Sequence, residues 1–228
     1  MSRSGFSTSD YLAVNNRILP VGDWSICAWV YPTADNVGAI LSSCNSGLND
    51  DLYQVWMRTG GVLRLRARSN GGGTSVNCDA GTNYGIGSWQ FICCKKVLVG
   101  AVRTLHSRVN NGGFATASWT AVEPNNDRFA VGVRYSNTIG VAAGNGHIGP
   151  VATWDRDLSN AEVNAMYNGL DFRYLNPAHY YEMAGTAGEA DLAGSRDLAE
   201  VGTVTDPALH PVIRRPGILP KGLAVGGV

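Results

Sequence analysis

Asn49, Asp50 and Asp51 close the segment NSGLNDD at residues 45–51. Amide and carboxylate oxygens on a loop are the hard donors that calcium takes, so these three form a candidate calcium site, with a plain polar turn as the alternative. NNDR at 125–128 is a second run of the same kind. The other pointed feature is cationic. Arg64, Arg66 and Arg68 recur at every second residue of VLRLRARS (62–69). On a strand all three guanidinium groups share one face. The guanidinium fork matches planar oxyanions, so the stripe suits a sulfated glycan or an acidic patch on a neighbouring subunit. The plainer reading, which the residues favour, is the solvated face of an outer or edge strand, where charge blocks edge-to-edge association.

Other chemistry is poorly supplied. The four histidines, His106, His147, His179 and His210, have no metal-ligand spacing. No G-x-S-x-G elbow marks a nucleophile, and no lysine follows the glycines at 71–73 to make a phosphate loop. The five cysteines, Cys27, Cys44, Cys78, Cys93 and Cys94, are odd in number and contain no C-x-x-C pair. They are expected as reduced thiols that fill core space, the usage of a chain made in a reducing cytosol. Catalytic residues and cofactors are therefore not expected, calcium apart.

Composition bounds the partners. The 228 residues carry 18 basic and 18 acidic side chains, so the formal net charge is zero and nothing favours nucleic acid. The opening MSRSGFSTSDYL has no apolar run after Arg3, which argues against a secretory signal. No apolar stretch approaches the roughly 18 residues that cross a bilayer, so no membrane partner is expected.

The elements that must position these residues are mostly strands. WSICAWVYP (24–32) is apolar on both alternating faces, as a strand buried between layers is. LYQVWMR (52–58), VLRLRARS, SWQFICCKKV (88–97), RFAVGVRY (128–135) and GHIGPVATWD (146–155) follow. A period of two sends Cys93 and Cys94 to opposite faces. TLHSRVNNGGFATA (104–117) predicts a hairpin, its Asn-Asn-Gly-Gly supplying positive φ. Short strands punctuated by turns imply an antiparallel sandwich or jelly roll. YLNPAHYYEMAG (174–185) reads as one more strand, with Pro177 at its start or on a sheet edge.

WDRDLSNAEVNAMYNG (154–169) breaks the pattern. Ser159 and Glu162 make a capping box, Val163, Met166 and Tyr167 share one face, and Gly169 suits a left-handed end. This predicts one short helix near 160–168. The segment 191–213 is a loop-rich return. RRPGILPKGLAVGGV (214–228) has no period, and an ordered arm there requires a neighbour to hold it. Arg214, Arg215, Ile218 and Leu219 are its candidate contacts. The expected organisation is one domain over 1–213, with its motifs in 5–169 and a closing strand and return in 170–213, followed by the arm 214–228.

FSTSDYLAV (6–14), GDWSICAWVYPT (22–33), GAILSS (38–43), GSWQFICC (87–94) and GHIGPVATWDRDLSNAEVNAMYNG (146–169) together resemble the concanavalin-A-like, laminin-G-like jelly-roll family. The Trp154 to Tyr167 stretch is similar to that family's closing "Y-N-R-A-L-S-x-x-E-I" motif. The family's His-His after the tryptophan is Gln90-Phe91 here, and its acidic residue before the last strand is replaced by Gly149-Pro150. The resemblance implies an all-β antiparallel sandwich whose helix plugs one end. Glycoside hydrolases on this sandwich use E-x-D-x-x-E or E-x-D-x-E carboxylates. None of Glu123, Glu162, Glu182, Glu189 and Glu200 begins either pattern, so no enzyme is expected. The chain's end also resembles laminin-G-like proteins of tailed-phage structural modules. That implies a virion-surface protein (capsid decoration, cement or fibre), made in the host cytoplasm. It would be homo-oligomeric or part of a larger assembly, bind neighbouring capsid subunits and take a glycan as a further partner. The alternative is a lectin-like carbohydrate-binding module, calcium-dependent if the 49–51 loop is a site.

Overall fold

The computed structural model describes residues 4, 6–7, 9–35, 38–45, 47, 52–69, 74–122, 125–136, 139–143, 146–184 and 188–204. A seven-stranded antiparallel sheet runs in the order β15 (Ala199–Val201), β1 (Tyr11–Val14), β10 (Arg128–Val131), β3 (Gly38–Cys44), β4 (Leu52–Arg58), β5 (Val62–Arg68), β6 (Ser75–Asp79). A six-stranded sheet runs β14 (His179–Tyr181), β13 (Gly146–Trp154), β2 (Trp24–Pro32), β7 (Gln90–Val99), β8 (Val102–Val109), β9 (Ala115–Trp119). A small hairpin joins β11 (Val133–Ser136) to β12 (Ile139–Ala143). The expected all-β jelly-roll sandwich with one short helix is the fold observed.

Alternation builds the core. Leu12, Val131, Leu41, Val55 and Leu65 lie in one cross-strand row of the seven-stranded sheet and are all buried. They meet Trp24, Ile26, Ala28, Val30, Ile92 and Cys94 from the other sheet in one cluster. Each such large side chain contributes about 1.5–3 kcal/mol through burial. Cys93 points the other way, as its parity requires, and all five thiols are free and buried.

The capping box on α1 (Asn160–Tyr167) is present: Glu162 N–H donates to Ser159 Oγ at 3.3 Å, and Ser159 N–H donates to Glu162 Oε2 at 2.8 Å. The helix does not plug an end of the sandwich. Leu158, Val163 and Met166 pack on Cys27, Phe91, Cys93, Ala152 and Trp154, the outer face of the six-stranded sheet. Those outward positions of β2, β7 and β13 are apolar and need a cover, which explains the location.

Two expected strands are divided. Gly132, at φ +86°, separates β10 from β11, and a Cβ there would lie 1.9 Å from the Phe6 ring. The break reverses the facing, so Phe129 and Val131 enter the main core while Val133 packs with Tyr11 and Ala130 outside it. Residues 172–175 form a 3-10 turn capped by Asp171, and only His179–Tyr181 pairs as a strand. Pro177 precedes that edge strand. Pro150 lies at the irregularity between Ile148 and Val151 of β13, where an interior proline is tolerated.

The return from β14 to β15 crosses from one sheet to the other. Asp191 anchors it, accepting backbone N–H donors from Tyr180, Gly194 and Arg196 and facing His179 Nδ1 at 2.6 Å. Thr203 N–H then donates to Asp10 Oδ1 at 2.8 Å, tying the return to the start of β1.

A candidate ligand-binding face

The outward residues of the seven-stranded sheet form two polar rows. Register places Ala130, Ser42, Gln54, Arg66 and Asn77 side by side, and next to them Ala39, Trp56, Arg64 and Asp79. The β11–β12 hairpin stands over the β1, β10 and β3 side. Gly132 N–H donates to Ile40 O at 2.7 Å, Ser42 Oγ donates to Val133 O at 2.9 Å, and Val133 seats on Tyr11 and Ala130. The β4–β6 side lies beyond this wall.

The arginine stripe is real, but its strand is not an edge. β5 lies between β4 and β6 and alternates half-buried arginine with buried Leu63, Leu65 and Ala67. Of the expected outer or edge strand, the edge is excluded: these side chains lie half-buried along a strand paired on both flanks. Arg64 makes a two-pronged contact with Asp79, which holds that carboxyl below its ordinary range and raises the guanidinium. Arg66 and Arg68 each make an interaction within the chain. By strand parity Arg58 and Arg128 share the face, with Arg58 lying 5.9 Å over the Trp56 ring. Five arginines thus stand with one aspartate, Asp79, among the described residues of β4–β6 and β10, in a chain of zero net charge.

Buried side-chain atoms without a hydrogen-bond partner sit among them, Arg66 Nε and Arg68 Nε included. Gln54 is fully buried, and neither atom of its side-chain amide has a partner. Trp56 Nε1 is buried and unpartnered as well. A buried amide without partners is destabilising by about 1–3 kcal/mol, and each such group calls for an explanation, of which a bound ligand is one. Sequence reasoning passed over Gln54, Asn77 and Asp79. The signal was the alternation of LYQVWMR, whose Tyr53, Val55 and Met57 are buried and whose Gln54 and Trp56 face outward.

Trp24, Trp119 and Trp154 are buried, whereas Trp29, Trp56 and Trp89 are half-buried on the outer faces. Of the histidines, His179 is paired with Asp191, and His106 and His147 stack on Phe114 and Tyr31.

Asn49, Asp50 and Asp51 lie outside the described residues, as do Arg214, Arg215, Ile218 and Leu219. The neighbouring NNDR run is described, and it is already bonded. Arg17 donates to Asn125 Oδ1 and Asn126 O at 2.5 and 2.8 Å, and Asn45 Nδ2 donates to Asn125 O at 2.6 Å. The Arg17 guanidinium thus takes two of the oxygens a cation would use. No cluster of three or more His, Cys, Asp or Glu side chains suited to a metal occurs among the described residues.

Comparison with known proteins gives a consistent picture of the architecture. The profile of the concanavalin A-like lectin/glucanases superfamily (Laminin_G_3) matches residues 6–164. No curated protein sequence matches the chain. Among solved structures, the heptameric SAP-like pentraxin of Limulus polyphemus aligns with TM-score 0.57 at 16% identity, over 75% of this chain and 83% of that one. The CBM40 domain of a Ruminococcus gnavus sialidase, bound to α2,3-sialyllactose, aligns with TM-score 0.57 at 16% identity, over 73% and 98%. A Bacteroides ovatus protein named as a candidate carbohydrate binder aligns with TM-score 0.64 at 14% identity, over 93% of this chain but 62% of that protein.

Proposed function

We infer that this chain, which belongs to the concanavalin A-like lectin/glucanase superfamily, is a non-enzymatic carbohydrate-binding module that takes an acidic glycan on the outer face of its seven-stranded sheet. The observation that carries this is the joint occurrence, on β4–β6, of the arginine stripe, the half-buried Trp56 and the unpartnered Gln54 amide. Each part suits one feature of an acidic sugar. An indole face stacks on the C–H face of a pyranose. Arginine forks bind carboxylate or sulfate. A carboxamide both donates to and accepts from hydroxyls. The R. gnavus neighbour, whose ligand is a sialylated sugar, lends fold-level support.

The virion-surface role and homo-oligomeric assembly expected from the sequence are compatible with this reading, since a displayed module can bind a glycan. The arm 214–228, expected to reach a neighbouring subunit, lies outside the described residues.

Calorimetric titration with sialylated, uronate-containing and sulfated oligosaccharides and their neutral counterparts tests the reading. Acidic ligands are expected to bind, and the double change Arg66→Gln, Arg68→Gln is expected to weaken them about tenfold with a reduced salt dependence. Absence of binding by every acidic ligand, or indifference to both arginines, would overturn it.

A further inference from the structure

We propose that His147, Tyr31 and Trp89, on the outer face of the six-stranded sheet, form a second saccharide site that takes an uncharged pyranose. The three side chains occupy one cross-strand row. His147 and Tyr31 are register partners, and Trp89 stands one residue before Gln90, the partner of Val30. Their ring centroids lie 5.4 and 5.6 Å apart along the row. Helix α1 and its loops cover this face only as far as Phe91 and Trp29, the next row. Beyond that cover the three rings remain half-buried.

The row is held in place on both sides. Gly146, at φ +143°, approaches so closely that a Cβ would lie 2.3 Å from Tyr31 O, which seats His147 directly beside Tyr31. On the other flank Gly87 N–H donates to Pro32 O at 2.9 Å and fixes the turn that leads to Trp89. His147 Nδ1 is buried and has no partner, an atom that a sugar hydroxyl can satisfy as donor or acceptor. Burial alone lowers the His147 imidazole, with no charged group contributing, so the ring is neutral near pH 7. Rings, one unsatisfied imidazole nitrogen and no charge acting on it among the described residues select an uncharged polyol with an apolar face, in contrast to the arginine face across the sandwich.

A second copy of the chain is a poorer occupant. Three half-buried side chains fall well short of the roughly 800 Å² that each partner buries in a stable interface. With both sites filled, one chain would bridge an acidic and a neutral glycan from opposite faces, and the avidity of such a bridge would depend on how the two are spaced.

Tryptophan fluorescence and calorimetry with neutral hexasaccharides of glucose, mannose, xylose and galactose test the proposal on the full chain. At least one is expected to bind, about tenfold more weakly to Trp89→Ala and with near-native affinity to Trp89→Phe, the conservative change that also controls for folding. The same ligand is expected to bind the Arg66→Gln, Arg68→Gln variant unchanged, which separates this site from the acidic-glycan reading. Lack of binding by all four series overturns the proposal. So does unaltered affinity in Trp89→Ala, or sedimentation showing that Trp89→Ala converts an oligomer to a monomer.

Discussion

Arg64 and Asp79 face each other across β5 and β6, with Nε and Nη2 of the guanidinium 2.5 and 2.6 Å from the two carboxylate oxygens. This pair cancels one cation of the arginine face. Asp79→Asn should free Arg64 for an anionic ligand, strengthening acidic-glycan binding two- to fivefold and steepening its decline with salt. Because Asp79 is substantially exposed, stability should change by less than about 1 kcal/mol. Titrations at several salt concentrations, with a thermal melt of the variant, check both statements.

Gln54 sets function against stability. Gln54→Met keeps the approximate volume and removes a buried amide that has no partner. The free protein should gain about 1 kcal/mol, seen as a midpoint a few degrees higher, while acidic-glycan affinity falls several-fold. A variant that melts at the wild-type temperature would show that the amide is satisfied in solution.

The thiols should be inert. Burial raises Cys27 and Cys94 well above the ordinary value, raises Cys78 and pushes Cys44 up to about 12. The thiolate is the reactive form. Ellman's reagent is therefore expected to label none of the five cysteines in the native protein and all five in guanidinium.

Asp191 should make the return acid-labile. Burial raises its carboxyl, but donors from His179, Gly194, Tyr180 and Arg196 outweigh that and hold it below its ordinary value. A depressed carboxylate contributes stability above its unfolded value, near pH 4, and that contribution is lost as pH falls through the folded value. Melts from pH 7 to 2.5 should show a decline below pH 4 that Asp191→Asn largely removes. At neutral pH this variant should be less stable by about 2–4 kcal/mol.

Glu162 works in the same direction at the helix start. Arg156 foremost, with the Ser159 N–H and hydroxyl, lowers its carboxyl to about 2 against the opposing effect of burial, so the capping contribution is present above pH 4.5 and fades toward pH 2. Glu162→Ala should cost about 1 kcal/mol at pH 7 and progressively less as pH falls toward 2.

The sequence was informative wherever a local period or cap decides the outcome. WSICAWVYP forms a strand over the range its alternation indicates, and Ser159 and Glu162 cap the helix they mark. It was less informative where distant contacts decide. RFAVGVRY alternates without a flaw, yet Gly132 turns the chain because Phe6, more than a hundred residues away, occupies the space a side chain would need. The YLNPAHYY segment coils before it pairs because Asp171 caps a turn there. The arginine stripe was legible as a stripe. That it lies beside Trp56 and Gln54 depends on which strands pair, and periodicity does not carry that information. For the same reason Tyr31, Trp89 and His147 come together only in the sheet.

The hydrogen bond from Thr203 to Asp10 fixes where the folded body can be tethered. The chain passes through residues 10 and 203 side by side at the β15–β1 edge, and the sheet order puts β6 at the far edge. Whatever is attached through either region pulls on the same border of the sandwich. The arginine strand β5 lies toward the opposite border of that sheet, so a load taken up at β15 and β1 is kept away from the arginine face.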